Sequence, residues 1–430
     1  MKPWFPWVLL TIAGWGCGSS DTKPDASSIG SDSGPATTAD TASNARDTAD
    51  DDSPSPDDDT GEHLATCTPS PWPEHTPQSA TETLTVSGST TAEWTVALPE
   101  AATPGALTIG VTSNGTDEGD RACYQLNRVT ADGEPWVHPP DDPTDQGLHC
   151  FTCPKRVAVR QGAGWYVFDR AGGIGEVTVQ VSIRDCSTGA PAVADLGDPI
   201  PESVRVSVGL PPADAAEPIV LPIHLINASQ FDVEANARSA IEAANAQFTE
   251  HGIALSVAGA TRVEFDESSV TYDGAERTEL RELLAMAGEA VSEPGARWGI
   301  PVVLVDCLER TGLNPGRPEG MATNIPGMPA SECLPDGVFL RMAQCLGPEP
   351  FEYPWSSDSL GKVLAHELGH FMGLYHSVEA NGIEDALADT DANNLMHFRA
   401  LNSTSTGLTA SQATVIRTHA TLLATDAASQ

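Results

Sequence analysis

Basic residues are scarce in this chain. It has 22 lysines and arginines against 60 aspartates and glutamates, which gives a formal net charge of −38 over 430 residues. Binding of a phosphate backbone needs a face rich in lysine and arginine. The composition therefore argues against nucleic acid as a partner, and it predicts a solvated acidic surface.

The sequence also lacks the motifs of several large enzyme classes. It contains no glycine-rich phosphate loop, no nucleophile elbow and no internal repeat. Its first apolar run, at residues 8–13, is too short to span a bilayer as a helix, which takes about 20 residues. Because Lys2 precedes this run, it is typical of the core of a signal peptide, which is removed from the mature protein.

One string, His-Glu-x-x-His-x-x-Gly-x-x-His, has the residue types of a metal site. On a helix, His366 and His370 lie one turn apart on one face, so that two neutral imidazoles can bind one ion. Gly373 can adopt the left-handed conformation that ends a helix, which brings His376 to the same ion. Three protein ligands leave a fourth position for water, as in catalytic zinc sites. Glu367 is the predicted general base.

A histidine pair on a helix is by itself more often a packed or solvated face, but the complete string is far more restrictive. Apolar residues recur at helical spacing through residues 360–371, and serines precede them. This pattern predicts a buried helix that carries the site. Further on, Thr409 and Gln412 match a capping box, which predicts a last helix that runs to Leu423.

In this string the chain resembles the metzincin clan of zinc peptidases, whose members carry a methionine-containing turn after the third histidine. The sequence Asn-Asn-Leu-Met-His at residues 393–397 is similar to such a turn, with Met396 as its methionine. Within the clan, the chain most resembles the pappalysin-like family, through Gly-Met-Ala-Thr at residues 320–323 and Asp-Gly-Val-Phe-Leu at residues 336–340. The resemblance implies an α+β catalytic domain at residues 217–430, with a mixed sheet, an active-site helix and this turn.

The resemblance also implies a substrate site. In the pappalysin-like family the second of these two segments is an edge strand that pairs with an extended substrate, and an unpaired strand edge suits that task. Gly337, Val338 and Phe339 are therefore expected to bind substrate. Many members carry tyrosine where this chain has Phe398, and the tyrosine can donate a hydrogen bond to the oxyanion. Because phenylalanine cannot donate, this enzyme either works more slowly or takes its oxyanion donor elsewhere, with His397 and a backbone N–H of the edge strand as the candidates.

These observations predict a zinc endopeptidase that acts on extracellular or periplasmic proteins. A bound Zn²⁺ lowers the pKa of its water towards ~7, and Glu367 takes the proton of that water. The alternative is a surface-anchored binding or adhesive protein with a vestigial or structural zinc site. A structural site has no need of the carboxylate of Glu367, which favours the enzyme.

The start of the chain predicts its location. Cys17 opens the sequence Cys-Gly-Ser-Ser-Asp, which resembles the lipid-modified first residue of a mature bacterial lipoprotein. Residues 1–17 are then a signal peptide, and the protein is lipid-anchored to the bacterial cell envelope at the outer membrane or cell surface. Simple secretion after another cleavage site is the alternative. The lipid anchor would be the only contact with the membrane, and the oligomeric state stays open.

Composition divides the rest of the chain. Residues 18–65 are rich in Asp, Ser, Thr and Pro and cannot bury enough apolar surface to fold, which predicts a disordered acidic linker. Residues 66–190 alternate apolar with polar residues between Gly, Pro and Asp clusters, which predicts a small all-β sandwich. The sandwich can be a propeptide, a binding module or a spacer. A proline-rich linker at residues 191–216 would lead to the catalytic domain.

Nine cysteines are present. Without Cys17 the number is even, which in an exported chain predicts disulfides. Five of the eight fall in the first domain and three in the second, so either one bridge joins the domains or each domain keeps one thiol. A free thiol from the first domain can then cap the zinc. The Cys150-x-x-Cys153 pair has no thioredoxin-like context, which favours structural cystines over a redox role.

One segment matches part of a calcium-binding loop. The sequence Asp389-x-Asp391-x-Asn393 begins like a calcium loop, but it lacks the glycine that follows and the distal glutamate. A plain solvated turn is therefore favoured over a Ca²⁺ site.

Overall fold

The structure is a computed structural model that describes, in the N-terminal half, residues 79–98, 106–113, 122–137, 155–160, 163–169, 175–184, 191–194 and 200–209. In the C-terminal half it describes residues 219–265, 269–271, 278–292, 299–310, 316–327, 336–345, 351–352, 355–380, 382, 384–385, 387–399, 401, 407–417 and 419. The predicted signal peptide, Cys17 and the predicted acidic linker lie outside these ranges. Within them, no helix is long and apolar enough to cross a membrane.

The N-terminal half contains a 10-stranded antiparallel sheet. Its strands are β1 (Ser79–Ser87), β2 (Thr90–Thr91), β3 (Trp94–Ala97), β4 (Ala106–Ser113), β5 (Cys123–Ala131), β6 (Glu134–Val137), β7 (Lys155–Arg160), β8 (Ala163–Asp169), β9 (Glu176–Arg184) and β10 (Ser203–Gly209). They follow the order β6-β5-β9-β2-β1-β10-β4-β8-β7, and β3 pairs with β9 off this path.

Alternating apolar residues give this sheet its buried face. Strands from both ends of the path, among them β4, β5, β9 and β10, contribute side chains to one apolar core. Because successive side chains of a strand point to opposite faces, a common core requires the sheet to curl over itself. The predicted β-structure is therefore present in this half, whereas its division into the two layers of a sandwich stays a prediction.

The predicted linker at residues 191–216 is wrong in part, because β10 lies inside it. This strand pairs with β1 on one side and with β4 on the other. Val204, Val206 and Val208 alternate with polar residues and are buried, so β10 is an interior strand of the sheet. Prolines on both sides of the strand obscured this pattern in the sequence.

The C-terminal half mixes strands and helices. Its elements are β11 (Ile219–Asn227), α1 (Glu234–Thr249), β12 (Ile253–Arg262), β13 (Ser269–Thr271), α2 (Thr278–Ser292), β14 (Ile300–Val305), β15 (Cys307–Glu309), β16 (Gly320–Ala322), β17 (Val338–Arg341), β18 (Ala343–Gln344), β19 (Phe351–Glu352), α3 (Ser357–Phe371) and α4 (Ala410–Arg417). The predicted mixture of helices with a sheet is confirmed. The described part of α4 ends before the predicted Leu423, which lies outside the described residues.

Five of these strands form one mixed sheet in the order β12-β11-β14-β17-β16. The first four are parallel, and β16 runs antiparallel to β17. Helices α1 and α3 share one apolar core with the sheet, and α2 shares a second core. Neighbouring residues of β14 supply different cores, since Val302 and Leu304 belong to the first and Val303 and Val305 to the second. Helices therefore cover both faces of the sheet.

The position of the edge strand corrects the sequence prediction. Val338 and Phe339 lie in β17, which has β14 on one side and β16 on the other, and both side chains are fully buried. The segment at residues 336–340 is thus interior. The edge is formed by β16, so the two segments that carry the family resemblance pair with each other: Gly320 lies opposite Leu340, and Ala322 lies opposite Val338.

One disulfide joins parts of this half. Cys307 of β15 and Cys345, just after β18, are bridged. Both cysteines are buried. Cys123 of β5 is also disulfide-bonded. Cys67, Cys150, Cys153, Cys186 and Cys333 lie outside the described residues, so the pairing between or within the predicted domains stays a prediction.

Candidate metal centre

The helix that carries the site, α3, is buried along most of its length. Ser356 caps its start, because the Ser356 hydroxyl accepts a hydrogen bond from the backbone N–H of Ser359 at 3.1 Å. Apolar side chains at helical spacing hold it in the core, and these are Leu360, Val363, Leu364, Leu368 and Phe371. Gly373 follows the helix with a φ of 100°, which confirms the predicted left-handed turn.

The turn brings His376 to the other two histidines. The ring centroids of His366 and His370 are 4.6 Å apart, and those of His370 and His376 are 4.7 Å apart. The nitrogens that face one another lie within 4.8 Å, and all three side chains are buried. His370 Nε2 and His376 Nε2 are only 3.2 Å apart. This is the arrangement of three ligand atoms around a common point, as the sequence predicts.

Backbone carbonyls fix the first two rings. His366 Nδ1 donates to the carbonyl of Leu395 at 2.8 Å, and His370 Nδ1 donates to the carbonyl of Leu374 at 2.7 Å. A carbonyl oxygen only accepts, so the proton of each neutral ring is on Nδ1 and the lone pair is on Nε2. Metal-binding histidines have this second hydrogen bond almost always. The free Nε2 atoms of the two rings therefore fit the binding of a divalent metal ion.

Burial keeps these imidazoles neutral. Burial, and then the charge of His376, lowers the pKa of His366 to about 3. Burial lowers the pKa of His370 well below its usual value, and the charges of His366 and His376 act in the same direction. Only a neutral imidazole has a lone pair for a metal, so both rings are in the binding form near pH 7.

Glu367 lies beside these ligands and is fully buried. Burial raises the pKa of its carboxyl well above the usual value; the backbone of Ala322 opposes this shift, and the charge of Glu319 adds to it. Neither carboxylate oxygen has a hydrogen-bond partner of ordinary geometry among the described residues. A carboxylate with a raised pKa and no fixed partner is suited to accept a proton.

The predicted methionine turn packs against the helix through Met396. A Cβ on Gly369 would come within 2.5 Å of Met396 Sδ, so the two residues touch. The Asn394 side chain accepts from the backbone N–H of Met396 at 2.8 Å, which closes the turn. Because the carbonyl of Leu395 binds His366, this turn also holds the first ligand.

Two features of the site were missing from the sequence prediction. Glu379 Oε2 accepts from His376 Nδ1 at 2.9 Å, and both side chains are buried. The side chains of Asn394 and Gln412 bind each other through two hydrogen bonds, of 3.0 and 2.8 Å, which join the methionine turn to α4. An acidic residue three positions after the last histidine was the available signal for Glu379. Gln412 was recognised only as part of the capping box with Thr409, which the structure confirms.

The carboxylates of the calcium-like segment have other partners. Asp389 accepts hydrogen bonds from the Thr409 hydroxyl and the Ser411 backbone, at 2.9 and 3.0 Å, and so helps to cap α4. Asp391 accepts from the backbone of Asn393 at 2.7 Å, as in a turn. Among the described residues, the three histidines are the one group of metal-binding side chains. A Ca²⁺ site has no support here.

His397 and Phe398 lie side by side after the methionine turn. Their ring centroids are 4.5 Å apart, and the guanidinium of Arg399 lies 5.1 Å from the centre of the Phe398 ring. Burial and the charge of His376 lower the pKa of His397. His397 Nδ1 accepts from the backbone N–H of Arg399 at 3.2 Å, so a neutral His397 carries its proton on Nε2.

The chain matches no protein-family model and no curated protein sequence. Among solved structures it is similar to metalloproteinase-II from Bacteroides fragilis, with 14% identity, a TM-score of 0.29 and coverage of 49% of this chain and 60% of that one. It is also similar to archaemetzincin from Methanopyrus kandleri, with 18% identity, a TM-score of 0.25 and coverage of 46% and 87%. These TM-scores are too low to support an argument about function, which therefore rests on the residues of the site.

Proposed function

We propose that the C-terminal half of the chain is a zinc-dependent endopeptidase. The observation that carries this proposal is the convergence of three buried histidines beside Glu367, a buried carboxylate whose oxygens have no hydrogen-bond partner of ordinary geometry among the described residues. Structural zinc sites are usually closed by four protein ligands. Three ligands and an adjacent base are the composition of a hydrolytic site.

The zinc would be held by Nε2 of His366 and His370 and by the nitrogen of His376 that faces them. When bound, the ion supplies Lewis acidity, which makes water a stronger acid and polarises a peptide carbonyl. The rings of His366 and His370 are held by hydrogen bonds to backbone carbonyls. The fold itself therefore orients these two rings.

Glu367 acts as the proton carrier. Its carboxylate takes a proton from the water that attacks the scissile carbonyl, and then gives that proton to the leaving amine. The burial that raises its pKa favours the first of these steps. Gly320 leaves the space that the carboxyl occupies, because its missing side chain would otherwise contact Glu367.

An extended peptide would pair with β16. Among the described strands, β16 has β17 as its one neighbour and forms the end of the sheet. The outer edge of such a strand offers backbone N–H and C=O groups to a peptide. Ala322 of this strand lies near Glu367, so a peptide paired there would pass the candidate metal centre. This role replaces the one that the sequence assigned to Gly337, Val338 and Phe339.

We also propose that the protein is exported and attached to the cell envelope by a lipid. The apolar run at residues 8–13 and the sequence after Cys17 support a signal peptide and a lipid-modified cysteine. The substrates would then be extracellular or periplasmic proteins. The resemblance to pappalysin-like metzincins supports the same assignment through the zinc motif and the methionine turn.

An unbiased peptide library tests the function. The purified protein is incubated with the library, and cleavage is measured with no addition, with a zinc chelator, and with the chelator followed by excess zinc. The proposal expects cleavage that the chelator abolishes and zinc restores. No cleavage in a sample that contains stoichiometric zinc would favour the binding or adhesive protein.

A further inference from the structure

The third ligand is held differently from the other two. His366 and His370 donate to backbone carbonyls, whereas His376 donates to the side chain of Glu379 at 2.9 Å. Side chains of His376 and Glu379 are 4% and 5% exposed, so this hydrogen bond is shielded from water. His376 is thus the ligand whose Nδ1 is held by a replaceable side chain and not by the backbone.

The backbone places Glu379 for this contact. The carbonyl of Glu379 accepts from the N–H of Gly382 at 2.8 Å, and Gly382 has a φ of 82°, which closes a tight turn. Val378 and Glu384 face each other across this turn in an antiparallel bridge. The backbone N–H of Ser377 donates to the carbonyl of Met396 at 2.8 Å. Glu379 is therefore held between the third ligand and the methionine turn.

We propose that Glu379 is a positioning residue that fixes the ring of His376 and raises the affinity of the centre for a divalent cation. This inference rests on the proposed metal centre and adds a residue that sets its strength. As an acceptor, the carboxylate keeps the proton of His376 on Nδ1 and leaves Nε2 for the ion. A buried negative charge close to the centre also attracts a divalent cation, because burial weakens the screening by water. Partners of this kind typically change metal affinity about 10- to 100-fold.

Two variants separate orientation from charge. Glu379→Gln keeps an oxygen acceptor and removes the charge, and Glu379→Ala removes both. Glu384→Gln is the matched control, because Glu384 lies on the same turn and its side chain is exposed. Zinc dissociation constants are measured by competition with a chromophoric chelator. The visible spectrum of the Co²⁺-loaded protein and the urea unfolding of the zinc-free protein are recorded for each variant.

The expected order of zinc affinity is wild type, then Glu379→Gln, then Glu379→Ala, with the alanine variant weaker by about 10- to 100-fold. The control is expected to stay within about twofold of wild type, because an exposed charge is screened. The Co²⁺ spectrum should change in the alanine variant, since the geometry of one ligand changes. If Glu379→Ala unfolds without zinc, the glutamine variant decides the matter.

Loss of a partner of this kind costs about 10-fold or more in metal affinity. If the zinc dissociation constants of the folded Glu379 variants stay within about threefold of wild type, the role of Glu379 is overturned and the proposed function is not affected. Failure of the wild-type protein to bind zinc at all would overturn the proposed function instead. The two failures are therefore distinguishable in one series of titrations.

Discussion

Gly320 and Glu367 touch across the gap between the edge strand and the helix. A Cβ built on Gly320 would lie 2.8 Å from Glu367 Cγ and 3.2 Å from Glu367 Oε1. These distances leave no room for a methyl group, so the glycine creates the space in which the carboxyl sits. The sheet edge that would bind a peptide is thus packed directly against Glu367, the group that would carry the proton during hydrolysis.

Gly320→Ala is expected to lower the catalytic constant about 100-fold, because a displacement of a catalytic group by about 1 Å has an effect of that size. Zinc affinity should change little, since the three atoms nearest to a Cβ at Gly320 belong to Glu367 and Val363 and not to a ligand histidine. Gly316→Ala is the matched control, because nothing lies within 4 Å of a Cβ at Gly316. Equal activity of both alanine variants would show that Glu367 tolerates displacement.

The pair Asn394 and Gln412 is expected to stabilise the methionine turn. Both side chains are buried and bind each other twice, so removing one leaves the other without its partner, at about 1–3 kcal/mol. A double-mutant cycle with Asn394→Ala and Gln412→Ala, followed by urea unfolding, should give a coupling free energy of about 1–2 kcal/mol. Additive effects of the two substitutions would contradict a direct interaction.

His419 is expected to make the protein less stable in acid. Burial lowers the pKa of His419 to about 4, from a usual value of 6.5, although its hydrogen bond to the Gly327 carbonyl opposes the shift. Between these two values the unfolded chain binds more protons than the folded chain, so stability falls as pH falls from 6.5 towards 4. The loss attributable to this group is about 3 kcal/mol.

Urea unfolding of the zinc-free protein at several pH values measures this effect. His419→Gln removes the titrating group and can still donate to Gly327. The difference in unfolding free energy between wild type and variant should therefore vary with pH between 6.5 and 4 and level off above 6.5. A difference that is the same at every pH would show that His419 does not contribute through its charge.

Phe398→Tyr is expected to preserve or raise the catalytic constant with little change in zinc affinity. The phenylalanine lies beside His397, and the resemblance to pappalysin-like enzymes places a hydrogen-bond donor for the oxyanion at this position. One such donor is worth on the order of 3 kcal/mol in the transition state. A large loss of activity in a tyrosine variant that folds and binds zinc would show that no hydroxyl fits where Phe398 packs.

The helix and the turn of the site are local features, which is why the sequence predicts them. Helical spacing of apolar residues, a glycine after the helix and the order of the histidines suffice for α3 and its three ligands. The methionine turn also follows from a short string, and it appears where the string lies, with Met396 against Gly369.

The sequence predictions that were wrong or missing concern contacts between segments that are distant in the chain. Which neighbour pairs with β17 depends on residues at 320–322, and no property of Val338 or Phe339 alone distinguishes an interior strand from an edge. β10 likewise lies between β1 and β4, which come far earlier in the chain. Glu379 reaches His376 only because the turn closed by Gly382 directs it there, and spacing alone did not single it out.

The most direct test of the proposed mechanism compares wild type with Glu367→Ala for bound zinc and for peptide hydrolysis. The ligand histidines remain in the variant, so one zinc per chain is expected in both proteins. Hydrolysis is expected to fall by several orders of magnitude, on the order of 10³-fold or more, because the proton carrier is lost. Removal of a general base typically costs about 100-fold or more in rate. A rate of hydrolysis in the zinc-loaded variant within about tenfold of wild type would therefore contradict the proposed mechanism.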